Sequence, residues 1–206
     1  VNGGGVISDL FCHLAFDKII FTGSTTVGKT IMAAAAENLV PVILELGGKS
    51  PVIVHSSSDM SDVAQRIAVG KLWNSGQTCV APDYMFLPKG KTAEFIEQFE
   101  TYVFDMYPSI LNNPDYTSIV NDKQYNRLQG YLENAKKLGA KIIEINPQSE
   151  DASLNRKIVP TILTGVTSDM EIMKNEIFGP ILPIMEYDQI DDVLAFINSR
   201  PRPLAL

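Results

Sequence analysis

Cysteine is scarce: the 206 residues hold two, Cys12 and Cys79. Two thiols cannot staple a small secreted scaffold, and they fit a reducing compartment better. Long apolar runs are missing too, none approaching the roughly 20 residues needed to cross a bilayer. Val1-Asn2-Gly3-Gly4-Gly5 reads as a turn-like start without a basic or apolar leader. A cytoplasmic protein without a membrane segment is therefore expected. Histidine is limited to His13 and His55, which leaves a cysteine peptidase few candidate bases. Lys and Arg number 17 against 24 Asp and Glu, a formal net charge of −7. That balance disfavours nucleic acid as a partner, because no basic cluster offsets it. No metal-ligand set is read from the chain.

What is present is ordinary globular composition, 45% hydrophobic and 20% charged, in a chain long enough to bury a core. Apolar runs alternate with helix-period segments, the pattern of α/β architecture. Lys18–Thr22 reads as a buried strand, Thr25 to about Asn38 as a helix, and Val42–Leu46 as a second strand, a parallel βαβ unit. Pro51–Val54 is a further strand. A helix follows over Met60–Leu72, capped by Ser58, Asp59 or Ser61. Asn74–Cys79 is a small-residue loop. Then come a strand at Tyr84–Leu87, a helix carrying Phe95 to Val103, and a helix from an Asp122 cap to Leu138 with Gly139 as its left-handed stop. Strands at Ile142–Ile145, Lys157–Ile162 and Ile181–Met185 and a helix at Ile190–Asn198 complete the expectation.

Three segments could carry chemistry. Thr22-Gly23-Ser24-Thr25-Thr26-Val27-Gly28-Lys29-Thr30 sits on a strand-to-helix turn, where glycine permits close approach and the helix start offers free N–H groups to phosphate. Gly23 to Thr30 also spells a P-loop, which would put Lys29 on nucleotide phosphates and Thr30 on magnesium. That pattern wants a second strand ending in Asp, and the next strand ends in Glu45-Leu46-Gly47-Gly48. Cys79, in a Gly/Ser/Thr-rich loop, is placed either as a reactive thiol or as an inert half-buried one. Glu45, inside Val-Ile-Leu-Glu-Leu-Gly-Gly, is either a buried carboxylate tuned as a general base or a strand-end residue facing water. Glu176, before the apolar turn Ile177-Phe178-Gly179-Pro180, reads by itself as structural.

Together these residues resemble the aldehyde dehydrogenase superfamily, along nearly the whole chain. Phe21-Thr22-Gly23-Ser24-Thr25-Thr26-Val27-Gly28 is similar to its cofactor-phosphate turn, and Leu44-Glu45-Leu46-Gly47-Gly48-Lys49-Ser50-Pro51 to its general-base signature. Gly76-Gln77-Thr78-Cys79 is similar to its nucleophile signature, and Asn175-Glu176-Ile177-Phe178-Gly179-Pro180 to its nicotinamide-ribose segment. Cys79-Val80-Ala81-Pro82-Asp83-Tyr84 and Arg202-Pro203-Leu204-Ala205-Leu206 resemble class 3 and coniferyl aldehyde dehydrogenases.

The resemblance implies an α/β fold with three layers and a largely parallel sheet. Residues 1–47 would be the last βαβ part of an NAD(P)-binding domain and 48–206 a catalytic domain, the chain being a fragment, inactive when isolated. It implies Cys79 as nucleophile toward an aldehyde, aromatic such as coniferaldehyde or medium-chain aliphatic, and Glu45 as the base that activates water. NAD or NADP would be held by Gly23, Ser24, Val27, Gly28, Leu46, Glu176 and Phe178, in an enzyme that is a homodimer at full length. The P-loop protein and a non-catalytic relative are the alternatives.

Overall fold

The computed structural model describes residues 3–206, and the chain divides into two compact units, ending and beginning at Gly48 and Lys49. Of the glycine-rich start, Val1 and Asn2 lie outside the described residues, and Gly5 already opens a helix.

The first unit contains α1 (Gly5–Cys12), β1 (Ile19–Gly23), α2 (Thr25–Glu37) and β2 (Val42–Leu46). The two strands pair in parallel, with Thr22 opposite Glu45 and Gly23 opposite Leu46, so the expected βαβ unit is present. Ile31, Ala34 and Ala35 of α2 pack with Ile19, Val40 and Cys12 into a small core. Residues along a strand alternate between its two faces. Ile20, Thr22, Ile43 and Glu45 therefore share a face, and all four are exposed. This corrects the expectation of a buried strand at Lys18–Thr22, where Ile19 is the buried position.

The second unit contains β3 (Pro51–Ile53), α3 (Met60–Leu72), β4 (Tyr84–Pro88), α4 (Thr92–Met106), α5 (Asp122–Lys137), β5 (Lys141–Glu144), β6 (Thr161–Thr164), β7 (Ile181–Tyr187) and α6 (Ile190–Asn198). The sheet runs β3-β4-β7-β6-β5, parallel except for the β5–β6 pair. Alternation divides its side chains between two cores. Met85, Leu87, Ile162, Leu182 and Ile184 join Ala64, Ala68 and Leu72 of α3 and Phe95, Phe99 and Val103 of α4. Tyr84, Phe86, Leu163 and Ile181 join Leu128, Leu132 and Ala135 of α5 and Val193 of α6. The unit is thus three layers, helix–sheet–helix, as expected. Each fully buried Phe or Leu contributes roughly 1.5–3 kcal/mol against the entropy of ordering the chain.

Two boundaries differ from the sequence expectation. The residue capping α5 is Asn121, whose side chain accepts from the Gln124 N–H, and not Asp122. The strand expected at Lys157–Ile162 begins at Thr161. Pro160 has no N–H to give a ladder. Lys157 turns its Nζ instead onto the carbonyls of Ile110 and Asn113, both at 2.8 Å.

Candidate active site

Topology assembles the larger part of the site. β4 and β7 are adjacent and parallel, so the loops that lead into them meet at the N-terminal ends of these two strands. The loop before β4 carries Cys79, and the loop before β7 carries Glu176 and Phe178.

The Cys79 loop starts where α3 ends. Asn74 and Ser75 both adopt left-handed backbone, φ 52° and 53°, and Gly76 follows at φ +70°. A Cβ on Gly76 would lie 2.4 Å from the Gly179 carbonyl oxygen, so the two loops touch backbone to backbone and only glycine fits there. The strained turn is held by side chains. The buried Gln77 amide donates to the carbonyls of Asn74 (3.2 Å) and Ser118 (3.1 Å) and accepts from the Val120 N–H (2.9 Å). Ser75 donates from its hydroxyl to the Thr117 carbonyl. Cys79 stands beyond this scaffold, free and exposed. The thiol is thus exposed and not half-buried.

Below the loop lies a set of charges that the sequence reading did not single out. Lys71 is 1% exposed and donates to the Pro82 carbonyl at 2.7 Å. Burial pulls its ammonium down to about 8; Asp83 opposes that shift and Lys49 adds to it. Asp83 is 3% exposed, pairs with the Lys49 ammonium and accepts from the Ile177 N–H at 2.7 Å. Lys49 also donates to the carbonyls of Ile172 (2.8 Å) and Asn175 (3.0 Å). Burial lowers its pKa as well, against the pull of Asp83. The signal for Lys71 was available: it falls four residues after Ile67, on the apolar face of α3, where a charge must find a partner.

The 175–180 loop is clamped from its other side by Arg127. Its guanidinium donates to the carbonyls of Glu176 (3.0 Å) and Ile177 (2.7 Å) and lies over the Tyr131 ring. Glu176 is half-buried, and Phe178 is exposed with φ 51°, a left-handed conformation that costs a non-glycine residue roughly 1–2 kcal/mol. Gly179 packs against Leu128, whose Cδ1 would be 2.6 Å from an added Cβ.

The remaining expected residues gather in the first unit at the C-terminal ends of β1 and β2, the usual ligand side of parallel strands. Ser24 caps α2 through its hydroxyl, which accepts from the Val27 N–H at 3.4 Å. Gly28 packs on Leu46, at 2.8 Å from a would-be Cβ, which ties the turn to the end of β2. The P-loop alternative loses its loop here. Thr25 through Glu37 are helical, so Gly28, Lys29 and Thr30 lie within α2, and Thr30 spends its hydroxyl on the Thr26 carbonyl. Of the two readings left open for Glu45, the structure shows the water-facing one: the side chain is exposed on β2. Among the described residues no cluster of His, Cys, Asp and Glu could hold a metal ion, and no helix is long and apolar enough to cross a membrane.

A mostly parallel three-layer unit that presents an exposed cysteine beside a clamped loop defines an α/β protein with a thiol at the ends of its central strands. The aldehyde dehydrogenase family profile matches residues 1–205, and the chain belongs to that family. It is 50% identical over 207 aligned positions to a coniferyl aldehyde dehydrogenase of Pseudomonas sp. (strain HR199), which covers all of this chain and 43% of that protein. It superposes on the substrate-bound AldH of Staphylococcus aureus with a TM-score of 0.90 at 43% identity, covering 99% of this chain and 43% of the other. On Pseudomonas syringae aldehyde dehydrogenase C, a mutant in complex with NAD+ and octanal, the TM-score is 0.83 at 29% identity, covering 95% and 41%. The chain thus spans less than half the length of these relatives.

Proposed function

We propose that this chain supplies the nucleophile, the hydrolytic base and part of the dinucleotide cradle of an NAD(P)-dependent aldehyde dehydrogenase. The observation that carries the proposal is the exposed Cys79 on a turn locked, backbone to backbone, against the loop of Glu176 and Phe178. On this reading residues 1–47 belong to the cofactor-binding part and 48–206 to the catalytic part.

In the proposed reaction the Cys79 thiolate adds to the aldehyde carbonyl and forms a C–S bond, and the carbonyl electrons move to oxygen. The Cys79 N–H would stabilise that oxyanion. NAD or NADP, when bound, supplies the hydride acceptor. The resulting thioester is cleaved by water. Glu45 takes a proton from that water, the C–S bond breaks, and carboxylate and thiolate are released. The exposure of Glu45 leaves it open to water. Gly23, Ser24, Val27, Gly28 and Leu46 would hold the dinucleotide at the start of α2, and Glu176 and Phe178 its ribose end. The turn at Gly23–Ser24 opens a helix N-terminus, where unpaired backbone N–H groups and the positive end of the helix dipole suit a phosphate.

The likeness to a coniferyl aldehyde dehydrogenase supports an aromatic aldehyde as substrate, and the octanal complex of the more distant relative supports a medium-chain aliphatic one. A homodimer in the cytoplasm is part of the same proposal. The test is aldehyde-dependent reduction of NAD and NADP by the complete gene product, with benzaldehyde, coniferaldehyde and hexanal, beside Cys79→Ala. Turnover that Cys79→Ala abolishes supports the reading. Turnover that survives the substitution refutes it.

A further inference from the structure

We propose that Asp83, through its pair with Lys49, is a positioning residue that holds the Cys79 turn and the 175–178 segment in a single register. The inference rests on the functional reading of Cys79 and Glu176 given above.

Three stretches of chain, distant in sequence, meet at this pair. Asp83 ends the loop that begins with Cys79, and its own N–H donates to the Ser50 carbonyl at 2.8 Å. Its carboxylate receives the Ile177 N–H at 2.7 Å and the Lys49 ammonium. Lys49 spends its other donors on the Ile172 and Asn175 carbonyls. With Arg127 on the carbonyls of Glu176 and Ile177, the backbone around Glu176 is held by one anion and two cations. Asp83 is the member of that set which is covalently continuous with the Cys79 loop.

A buried ion pair is a poor way to gain stability, because desolvation offsets most of the attraction. What it gives is direction. A carboxylate accepts along fixed lone pairs, and charge-assisted bonds of this length tolerate little displacement. Apolar packing of the same volume would leave the two loops free to slide by a fraction of an ångström. A reaction that hands a hydride from a carbon on one loop to a group held by the other would suffer from that slack.

The experiment uses the complete gene product and four forms: wild type, Asp83→Asn, Lys49→Gln and the double variant. The readouts are the KM for NAD+, kcat, and the rate of Cys79 alkylation by iodoacetamide without cofactor. Asp83→Asn keeps the shape of the side chain but leaves Lys49 without its counter-charge. The expected result is a KM for NAD+ raised about tenfold or more together with a changed alkylation rate, the double variant being no worse than either single one. A purely structural pair would lower the melting temperature and leave these parameters within about twofold of wild type, and that result overturns the proposal. Should Asp83→Asn fail to fold, Lys49→Arg restores the charge with altered geometry and is expected to raise the KM less than Lys49→Gln; equal values for the two overturn it. A wild type that reduces no dinucleotide, yet whose NAD+ binding and thiol alkylation respond to these variants, sinks the dehydrogenase reading and leaves the positioning role standing.

Discussion

At the scale of single residues, chemistry and packing leave one option at a few positions. Gly76 is the sharpest. Its backbone is left-handed, and its Cα hydrogen faces the Gly179 carbonyl oxygen at a distance no carbon can take. Gly76→Ala is expected to cost at least about 3 kcal/mol, or to unfold the turn outright, because the obstruction is backbone and cannot rotate away. Urea denaturation reads the cost; a loss under about 1 kcal/mol would show that the loops separate easily. Gly28→Ala meets the flexible end of Leu46 and is expected to be tolerated far better.

Lys71 gives a pH signature. Its ammonium is pulled from 10.5 to about 8 by burial, so between those values the folded chain holds fewer protons than the unfolded one. Stability attributable to this group therefore rises with pH across that window. The burial cost it relieves is on the order of 3 kcal/mol. Urea midpoints of wild type and Lys71→Met, compared from about pH 8 to 10, are expected to converge on a flatter profile in the variant. Parallel profiles would show that Lys71 stays charged. Residues of this kind were half legible. The exposure of Cys79 is legible because its neighbours are small, whereas the sequence leaves both a buried and a water-facing setting open for Glu45. An apolar strand places alternate residues on opposite faces, and its sequence does not say which face is covered.

At the scale of elements, the sequence was most informative where period and punctuation agreed. α3 runs Met60–Leu72 and α6 runs Ile190–Asn198, as the spacing of apolar residues predicts. α1 is not legible in the sequence: eight residues after a glycine run, without a side-chain cap, leave almost no local signal. The apolar run through Pro160 resembles a strand, but β6 begins only at Thr161, since Pro160 has no N–H to donate to the ladder. The start of α5 was displaced by one residue because Asn121 and Asp122 are both good caps. Here a measurement separates them. Asn121→Ala is expected to cost about 1 kcal/mol, since it strips the acceptor from the Gln124 N–H, whereas Asp122→Ala should cost a few tenths. Equal losses would contradict the assigned cap.

At the scale of the molecule, parallel strands bring distant sequence together. Residues about a hundred positions apart meet at one end of the sheet because β4 and β7 are neighbours, an adjacency no local pattern encodes. The sequence could name the Cys79 and Glu176 motifs and their order, but not the Asp83–Lys49 pair that joins them, since that pair exists only across the fold. The share of the relatives' length that this chain spans, 43% of the coniferyl aldehyde dehydrogenase, leads to a further prediction. The 206 residues expressed alone should turn over no aldehyde with either dinucleotide, and measurable turnover by them alone would contradict it.

The central claim is that Cys79 forms a covalent bond to the aldehyde carbon. The most direct measurement is intact-mass spectrometry of the complete gene product, mixed rapidly with dinucleotide and coniferaldehyde and quenched in acid, for wild type, Glu45→Gln and Cys79→Ala. An acyl adduct mapping to Cys79, accumulating in Glu45→Gln and absent from Cys79→Ala, is the predicted result. An adduct on another residue, or turnover with Cys79 removed, would contradict the account.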